Sequence, residues 1–201
     1  MKNSDYIILA AAILAIGVIS GCGNRNQKKS TAPAETSSPE TLVTETCFTA
    51  IDRYLTEEIG SQYLPGDICI PFHTYADVDD SNTEDIQVWG DFWVMNYSVS
   101  GDTLKTVSGG AHPGKMHVSK DSRGHFTVTS FERVTDGSGW EPSARSIFGE
   151  RFSDFQKFNS DEKVREEMRL EAVAIYVHDH KLPVKILKDY GWPDTRIPGT
   201  E

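Results

Sequence analysis

The chain has 201 residues, 38% of them hydrophobic and 25% charged, and its 30 acidic residues against 20 basic ones give a formal net charge of −10. Such an acidic balance argues against a nucleic-acid-binding protein, because Lys and Arg supply most of the affinity for phosphate backbones. Ordinary numbers of Gly (16), Pro (9) and aromatic residues exclude collagen-like and wholly disordered chains.

The amino terminus has the pattern of a targeting segment. Lys2 precedes an apolar stretch over residues 6–19. As a helix this stretch measures about 21 Å, shorter than the ~30 Å hydrocarbon core of a bilayer, which favours a cleaved signal over a stable membrane span. An ordinary secretory signal with an incidental Cys and an uncleaved anchor are the alternatives.

The apolar stretch ends in the motif I-S-G-C at residues 19–22. An aliphatic residue and two small residues before a Cys resemble the lipobox of bacterial lipoproteins, in which the Cys receives a diacylglycerol and a peptidase cuts before it. The resemblance implies a signal peptide over residues 1–21 and an extracytoplasmic protein, bound to a bacterial membrane by the lipid on Cys22. Gly23 stands where an Asp would resemble an inner-membrane retention signal, which favours the outer membrane if the cell has two.

A tether and a single domain follow the signal. Residues 22–45 are almost entirely small, polar or charged. They cannot bury a core, so we expect a flexible spacer. Residues 46–201 are long enough for one globular domain, and they carry the whole net charge. We interpret this charge as keeping the domain soluble, with capture of cations as the alternative.

Cys47 and Cys69 remain once Cys22 is assigned to the lipid. In an oxidising compartment they could form a disulfide that joins the first helix to the first strand, worth about 3 kcal/mol for a loop of this size. The alternative is two buried thiols. Neither residue has the C-x-x-C spacing of a reactive pair.

The domain begins with one amphipathic helix and a short strand. Phe48, Ile51, Leu55 and Ile59 recur at three- and four-residue intervals, as on the buried face of a helix. Alternating apolar residues predict a strand over residues 68–73, and a loop is expected over 77–85.

The middle of the chain reads as an antiparallel meander. Strands are predicted over four ranges, namely 86–100, 103–108, 115–120 and 125–134. Turn residues separate them, including the glycine-rich stretch 109–114. Gly90 is expected to mark a bulge or bend.

The pattern returns to helices near the carboxyl terminus. Helices are predicted over 142–148, around Phe152, Phe155 and Phe158, and over 161–178 with Asn159 or Ser160 as the amino-terminal cap. The expected buried stripe of the last helix consists of Val164, Met168, Ala172 and Ile175. The sequence therefore predicts an α+β fold in which the first helix packs on a curved antiparallel sheet of four or five strands, followed by carboxyl-terminal helices.

This architecture resembles the cystatin-like or nuclear-transport-factor-like cone. The segments W-V-M-N-Y-S-V-S-G-D-T-L, G-G-A-H-P-G-K-M-H-V and G-H-F-T-V-T-S-F-E-R-V-T-D-G, between residues 93 and 137, also resemble uncharacterised bacterial lipoproteins and extracellular sensor-like domains. Those segments are turns and core strands, so the resemblance implies no activity, ligand or catalytic residue.

One segment imitates a phosphate-binding loop. Residues 109–115 fit G-x-x-x-x-G-K, but Met116 follows where Ser or Thr is needed for magnesium, and the next residues alternate as in a strand. We reject a nucleotide site. The glycine-rich rim could still contact an anionic ligand, and the candidate contacts are His112, Lys115 and His117.

Metal and catalytic patterns are weak. Alternating oxygen side chains over residues 77–85 imitate a calcium loop but lack its central Gly and its twelfth-position Glu, and the His spacings do not define a transition-metal site. Neither G-x-S-x-G nor H-E-x-x-H occurs. We expect no metal, no cofactor and no catalytic constellation.

We therefore expect a non-enzymatic binding or interaction domain, whose partner is another envelope protein or an extracellular ligand. The alternative is a small-ligand-binding or enzymatic cone with a pocket between helix and sheet. In the first interpretation, aromatic side chains fill the interior, and the candidates are Trp89, Trp93, Tyr97, Phe126 and Phe131.

Overall fold

The first helix starts where two threonines cap each other. The computed structural model describes residues 45–201, and the expected signal peptide, Cys22 and tether lie outside this range except for its last residue. α1 (Cys47–Tyr54) begins at Thr46, whose hydroxyl accepts the Thr49 amide hydrogen while the Thr49 hydroxyl accepts the Thr46 amide hydrogen. These two bonds satisfy amides that a helix start leaves unpaired. The helix continues through a π-helical turn (Leu55–Ile59) and a 3₁₀ turn (Gly60–Gln62).

The sheet has six strands in the described part of the chain. They are β1 (Ile68–Asp79), β2 (Ile86–Ser100), β3 (Thr103–Lys120), β4 (Phe126–Arg133), β5 (Ile186–Lys188) and β6 (Thr195–Arg196). The order is β1-β2-β3-β5-β6, with β4 beside β3 as well. β4 pairs with the end of β3, and β5 pairs in parallel with its start. The sheet is therefore mixed and larger than the antiparallel four or five strands expected, because β5 and β6 return from the carboxyl terminus.

β3 is one continuous strand, so the prediction of a turn over residues 109–114 is wrong. All of this stretch pairs with β2. The glycines are needed because backbone of the neighbouring strands lies too close to leave room for a side chain. A Cβ on Gly114 would lie 2.2 Å from the Glu132 carbonyl oxygen, and a Cβ on Gly109 would lie 2.2 Å from the Val94 carbonyl oxygen. A cluster of Gly is ambiguous in sequence because turns and closely approached strands both need residues without a side chain.

β1 extends to Asp79, past the end predicted at residue 73. It bulges between Tyr75 and Asp77, opposite Gly90. The irregularity expected at Gly90 therefore lies in the strand that pairs with it. A Cβ on Gly90 would lie 2.3 Å from the carbonyl oxygen of Thr74, which explains the need for Gly there.

Three helices fill the carboxyl-terminal half: α2 (Trp140–Phe148), α3 (Phe152–Asn159) and α4 (Glu162–Asp179). The α4 cap is Asp161, whose side chain accepts the Val164 amide hydrogen, so the predicted caps were one or two residues early. The predicted stripe of α4 is correct only in part, since Val164, Met168 and Ala172 are half-buried and Ala172 packs on the residues around Val173. The helix buries Arg169, Val173 and Val177, whereas Ile175 is 49% exposed.

Alternate residues of β2 face opposite sides of the sheet. One side packs on α1 and forms the α1 core, which includes Ile51, Leu55, Val88, Phe92 and Met116. The other side packs on two further clusters. The α4 core includes Tyr97, Leu104, Val173, Leu187 and Ile197, and the aromatic core includes Trp89, Phe148, Phe152 and Phe155.

Of the aromatic residues expected inside, Trp89 and Tyr97 are buried, whereas Trp93, Phe126 and Phe131 are half-buried. Cys47 and Cys69 are free, half-buried thiols, so the disulfide alternative is not formed. Cys69 touches the far end of the first helix, since a Cβ on Gly60 would lie 2.6 Å from its Sγ. Cys47 stands at the start of that helix, about 20 Å away by helical rise, far beyond the reach of a disulfide.

Candidate functional site

The three candidate ligand contacts divide between the two sides of the sheet. Lys115 is paired with Trp89 and His117 with Gln87, on the side covered by the carboxyl-terminal helices. His112 is paired with Phe92 of the α1 core. The structure therefore brings Lys115 and His117 together and separates His112 from them, because residues three and five apart in a strand point to opposite faces.

Glu132 joins Lys115 and His117. Its Oε1 lies 2.6 Å from Lys115 Nζ and 2.9 Å from His117 Nε2, while His117 Nδ1 lies 2.6 Å from Asp85 Oδ1. Hydrogen bonds from Lys115, and then from His117, hold the pKa of Glu132 below its ordinary value. The cluster is thus internally paired, with Lys115 also 5.7 Å from the centre of the Trp89 ring.

His112 has a different environment on the α1 side. Its Nε2 lies 3.0 Å from the hydroxyl of Tyr63, and burial lowers the pKa of the imidazole. Tyr63 also covers the backbone of Gly110, where a Cβ would lie 2.7 Å from its hydroxyl. This pair fixes the segment after the first helix against β3.

The calcium-like loop uses its carboxylates for local contacts. Asp79 Oδ1 accepts the Ser81 amide hydrogen, Asp77 pairs with Arg151 at 2.5 Å, and Asp85 binds His117. Within residues 45–201, no three His, Cys, Asp or Glu side chains are grouped so as to hold a metal ion.

Asp91 is a buried acid that sequence reasoning missed. It is 1% exposed and lies on β2 between Trp89 and Trp93, on the side of the carboxyl-terminal helices. Trp93 donates its indole hydrogen to Oδ2 at 2.8 Å, and Oδ1 is buried without a partner among the described residues. Burial raises the pKa of Asp91 from 3.8 to about 6, against the opposing effects of the Trp93 hydrogen bond and the Arg165 charge.

A second buried polar group, Arg169, ties α4 to the turn after β5. Its guanidinium contacts Asp189 at 2.9 and 2.6 Å, the hydroxyl of Thr106 at 2.8 Å and that of Tyr97 at 3.1 Å. Thr106 also donates to Asp189. Burial opposes the charge on Asp189, but its bonds to Arg169 and Thr106 prevail and lower its pKa. The bidentate ion pair between Arg169 and Asp189 fixes the position of Asp189.

The fixed residue begins an exposed turn, residues 189–194, which we call the aromatic turn. Tyr190 is 100% exposed and Trp192 69% exposed, with Gly191 between them at φ 79°. The Trp192 amide donates to the Asp189 carbonyl, and Lys188 and Asp194 close the turn with a 2.7 Å ion pair. Two large aromatic side chains thus project into solvent from a backbone that is held at its base.

A weak sequence signal existed for these residues. The stretch D-Y-G-W-P-D combines turn formers with two aromatic side chains, and Asp91 is a charged residue inside an apolar strand. Nothing in the periodicity of α4 marks Arg169 as buried, because its partner Asp189 is 20 residues further along the chain.

Comparison with known proteins finds no relative of this chain. The chain matches no protein-family model, and no curated protein or solved structure matches it. Across the described residues, no helix has both the length and the apolar character needed to cross a membrane.

Proposed function

We propose that the protein is a lipid-anchored component of a bacterial cell envelope, whose domain over residues 46–201 binds a partner through an exposed surface and has no catalytic role. Attachment is supported by the lipobox-like residues 19–22. Lipidation of Cys22 would place the protein outside the cytoplasm, and Gly23 favours the outer membrane in a cell that has two.

The observation that carries the binding role is the aromatic turn. Contact between the apolar ring of an exposed Tyr or Trp and water costs free energy, and burial in an interface removes this cost. Side chains of these types dominate the affinity of interfaces. Tyr190 and Trp192 stand on a backbone already ordered by the Arg169–Asp189 pair. Little backbone conformational entropy therefore remains to be lost when a partner covers them.

The proposed fold relationship is a cystatin-like or nuclear-transport-factor-like cone. It is supported by α1, which precedes the sheet in the chain and packs against β2, β3 and β4 through the α1 core. The carboxyl-terminal helices and the strands β5 and β6 are additions to that plan.

Attachment is tested by metabolic labelling with radioactive palmitate. The wild-type chain should incorporate label and the C22S variant should not, whereas C47S and C69S serve as matched controls that retain it. Label that persists in C22S, or is absent from the wild type, would reject the anchor.

The binding role is tested with a photoactivatable amino acid at position 190 or 192, introduced into the full chain in cells. Both positions should form the same cross-linked species, to lipid or to protein, while position 163 on α4 should not. Lys163 is a suitable control because its side chain is 84% exposed. Identical patterns at all three positions would reject the aromatic turn as the binding surface.

A specific observation favours the second candidate, a small-ligand-binding or enzymatic domain. The unpartnered Oδ1 of Asp91 is buried, with Trp93 and Arg165 of α4 nearby. A buried acid of raised pKa is a common feature of ligand sites and active sites. A ligand that raises the melting temperature of the wild type but not of D91N would favour this candidate; equal shifts in both would reject it.

A further inference from the structure

Charge is distributed unevenly over the domain. Residues 181–201 contain four basic and three acidic residues, whereas residues 46–180 contain twelve basic and twenty-three acidic ones. Asp189 is among the three acidic residues and is already paired with the buried Arg169. The carboxyl-terminal corner therefore has a small excess of basic residues in an otherwise acidic domain.

The strand register places basic side chains on one face of this corner. Leu104 and Leu187 are neighbours in the parallel pair and both face the α4 core. Lys105 and Lys188, the next pair in register, therefore face outward, as does Arg196, which pairs with Ile186 one residue before Leu187. Lys188 pairs with Asp194, whereas Lys105 and Arg196 bond to the neutral oxygens of Ser100 and Thr200.

We propose that the aromatic turn and this basic face dock the domain onto the anionic phosphate headgroups of a phospholipid bilayer. Tyr190 and Trp192 would occupy the interfacial layer, where Tyr and Trp side chains are favoured, and Lys105 and Arg196 would lie over the phosphates. This inference rests on the proposed lipid anchor, which supplies the proximity, and it names the partner of the same surface.

The aromatic turn and the chain entry lie at opposite ends of β3. Glu45 contacts Arg53, which donates to the carbonyl oxygen of Phe126, and Phe126 pairs with Lys120 at the end of β3. β5, which leads into the turn, pairs with the start of β3. The two ends are about 55 Å apart along the strand. Residues 23–44 can span at most about 80 Å, which is enough for the turn to reach the bilayer that holds Cys22.

The acidic remainder of the domain favours the same orientation. Taken together, residues 46–180 would bring an excess of carboxylates against anionic headgroups, and this repulsion is strongest within a Debye length of about 8 Å at physiological salt. Only the carboxyl-terminal corner combines positive charge with exposed aromatic side chains. The rest of the domain would then face away from the bilayer.

The experiment uses residues 23–201, which lack the lipid and contain every residue of the three cores. Vesicles of phosphatidylglycerol and phosphatidylcholine in about equal parts are sedimented with the protein at low salt, beside vesicles of phosphatidylcholine alone. We expect the wild type to sediment with the anionic vesicles. Y190A/W192A should lose at least about tenfold in partitioning, and K105Q/R196Q about thirtyfold.

Controls match the type of side chain removed. L64A and I175A delete exposed apolar side chains elsewhere, and K163Q deletes an exposed Lys on α4; all three should bind as the wild type does. Lipids brominated on their acyl chains should quench the wild type more than W192F. Circular dichroism should show that each variant is folded.

Failure of the wild type to bind anionic vesicles, or equal binding by Y190A/W192A, would overturn the inference. The proposed function would survive that result if palmitate still labelled Cys22 and the cross-linker at position 190 captured a protein. Loss of palmitate labelling would instead remove the anchor on which both depend.

Discussion

Trp93 donates its indole hydrogen to the carboxylate of Asp91, two residues earlier in β2, so both side chains lie on the same face of the strand. Among the described residues, Trp93 is the single hydrogen-bond partner of the Asp91 carboxylate, since the second carboxylate oxygen accepts no hydrogen bond. A neighbouring charge on Arg165 does not offset the loss of hydration, and the pKa of Asp91 rises to about 6. The acid therefore destabilises the folded domain when it is ionised.

The sign of this effect predicts a pH dependence. Between pH 3.8 and about 6 the folded state binds more protons at Asp91 than the unfolded state, so its contribution to stability falls as pH rises. D91N keeps an oxygen for the Trp93 hydrogen bond and removes the charge. We expect D91N to be more stable than the wild type by about 1–3 kcal/mol at pH 7 and equal to it or less stable below pH 4, measured by urea unfolding.

An exposed carboxylate provides the comparison for D91N. D80N should change the free energy of unfolding by less than about 0.5 kcal/mol at either pH. A D91N difference that stayed constant from pH 4 to pH 7 would mean that ionisation of Asp91 is not the cause.

Removal of Arg169 should loosen the aromatic turn. R169M leaves the half-buried Asp189 without its charged partner, and we expect a loss of about 2–3 kcal/mol in the free energy of unfolding at pH 7. Since the pKa of Asp189 is lowered in the folded state, the pair stabilises the domain above the ordinary value of 3.8, and this contribution is lost as pH falls through the folded pKa.

Hydrogen exchange gives the local readout. Amides of residues 186–197 should exchange faster in R169M, whereas those of α1 should change only through global stability. K163Q, on the exposed face of the same helix, should leave both unchanged. Unaltered exchange in residues 186–197 would show that the pair does not fix the turn.

Two glycines of β3 should respond differently to Ala. In G114A the new Cβ would meet the Glu132 carbonyl at 2.2 Å, and backbone cannot move aside without breaking the pairing with β4. In G110A it would meet the hydroxyl of Tyr63, the end of a side chain. We expect losses of at least about 2 kcal/mol for G114A and under about 1 kcal/mol for G110A by thermal unfolding; equal losses would contradict the close approach at Gly114.

The free state of the two cysteines predicts that a reductant will not change the thermal stability of the domain. Because Cys47 and Cys69 are free thiols near opposite ends of the first helix, dithiothreitol should not shift the melting temperature of residues 23–201. The C47S/C69S variant should likewise melt at the same temperature with and without dithiothreitol. Thiol titration of the unfolded domain should count two groups. A melting temperature that falls by several degrees in reductant would point to a disulfide after all.

Local periodicity predicted most of the elements in this fold. The repeats around Ile51 and Leu55 and the alternation in β2 are short-range signals of burial, and they located α1 and the second strand. The α4 stripe was misplaced because Arg169 occupies a core position. A sequence pattern predicts that Arg is solvent-exposed. Arg169 can be buried because its partners come from distant parts of the chain, namely β2, β3 and the turn after β5.

The candidate site was predicted less well than the fold. Lys115 and His117 were singled out for their neighbouring glycines, yet the residues that determine their environment are Glu132 on β4 and Asp85 in the loop before β2. Exposure of Tyr190 and Trp192 depends on which surfaces the rest of the chain covers. The spacing of residues in the sequence does not show which surfaces the folded chain covers, so exposed residues of this kind can be identified only from the structure.

β2 supplies side chains to all three cores: Val88 and Phe92 to the α1 core, Tyr97 to the α4 core and Trp89 to the aromatic core. Unfolding of any one core would displace β2 and so remove side chains from the other two. Residues 46–201 should therefore unfold in one cooperative transition, and the slowest-exchanging amides of β2 should report the global free energy rather than any local opening. A domain built around one strand in this way has no half that can be removed and still leave the other folded.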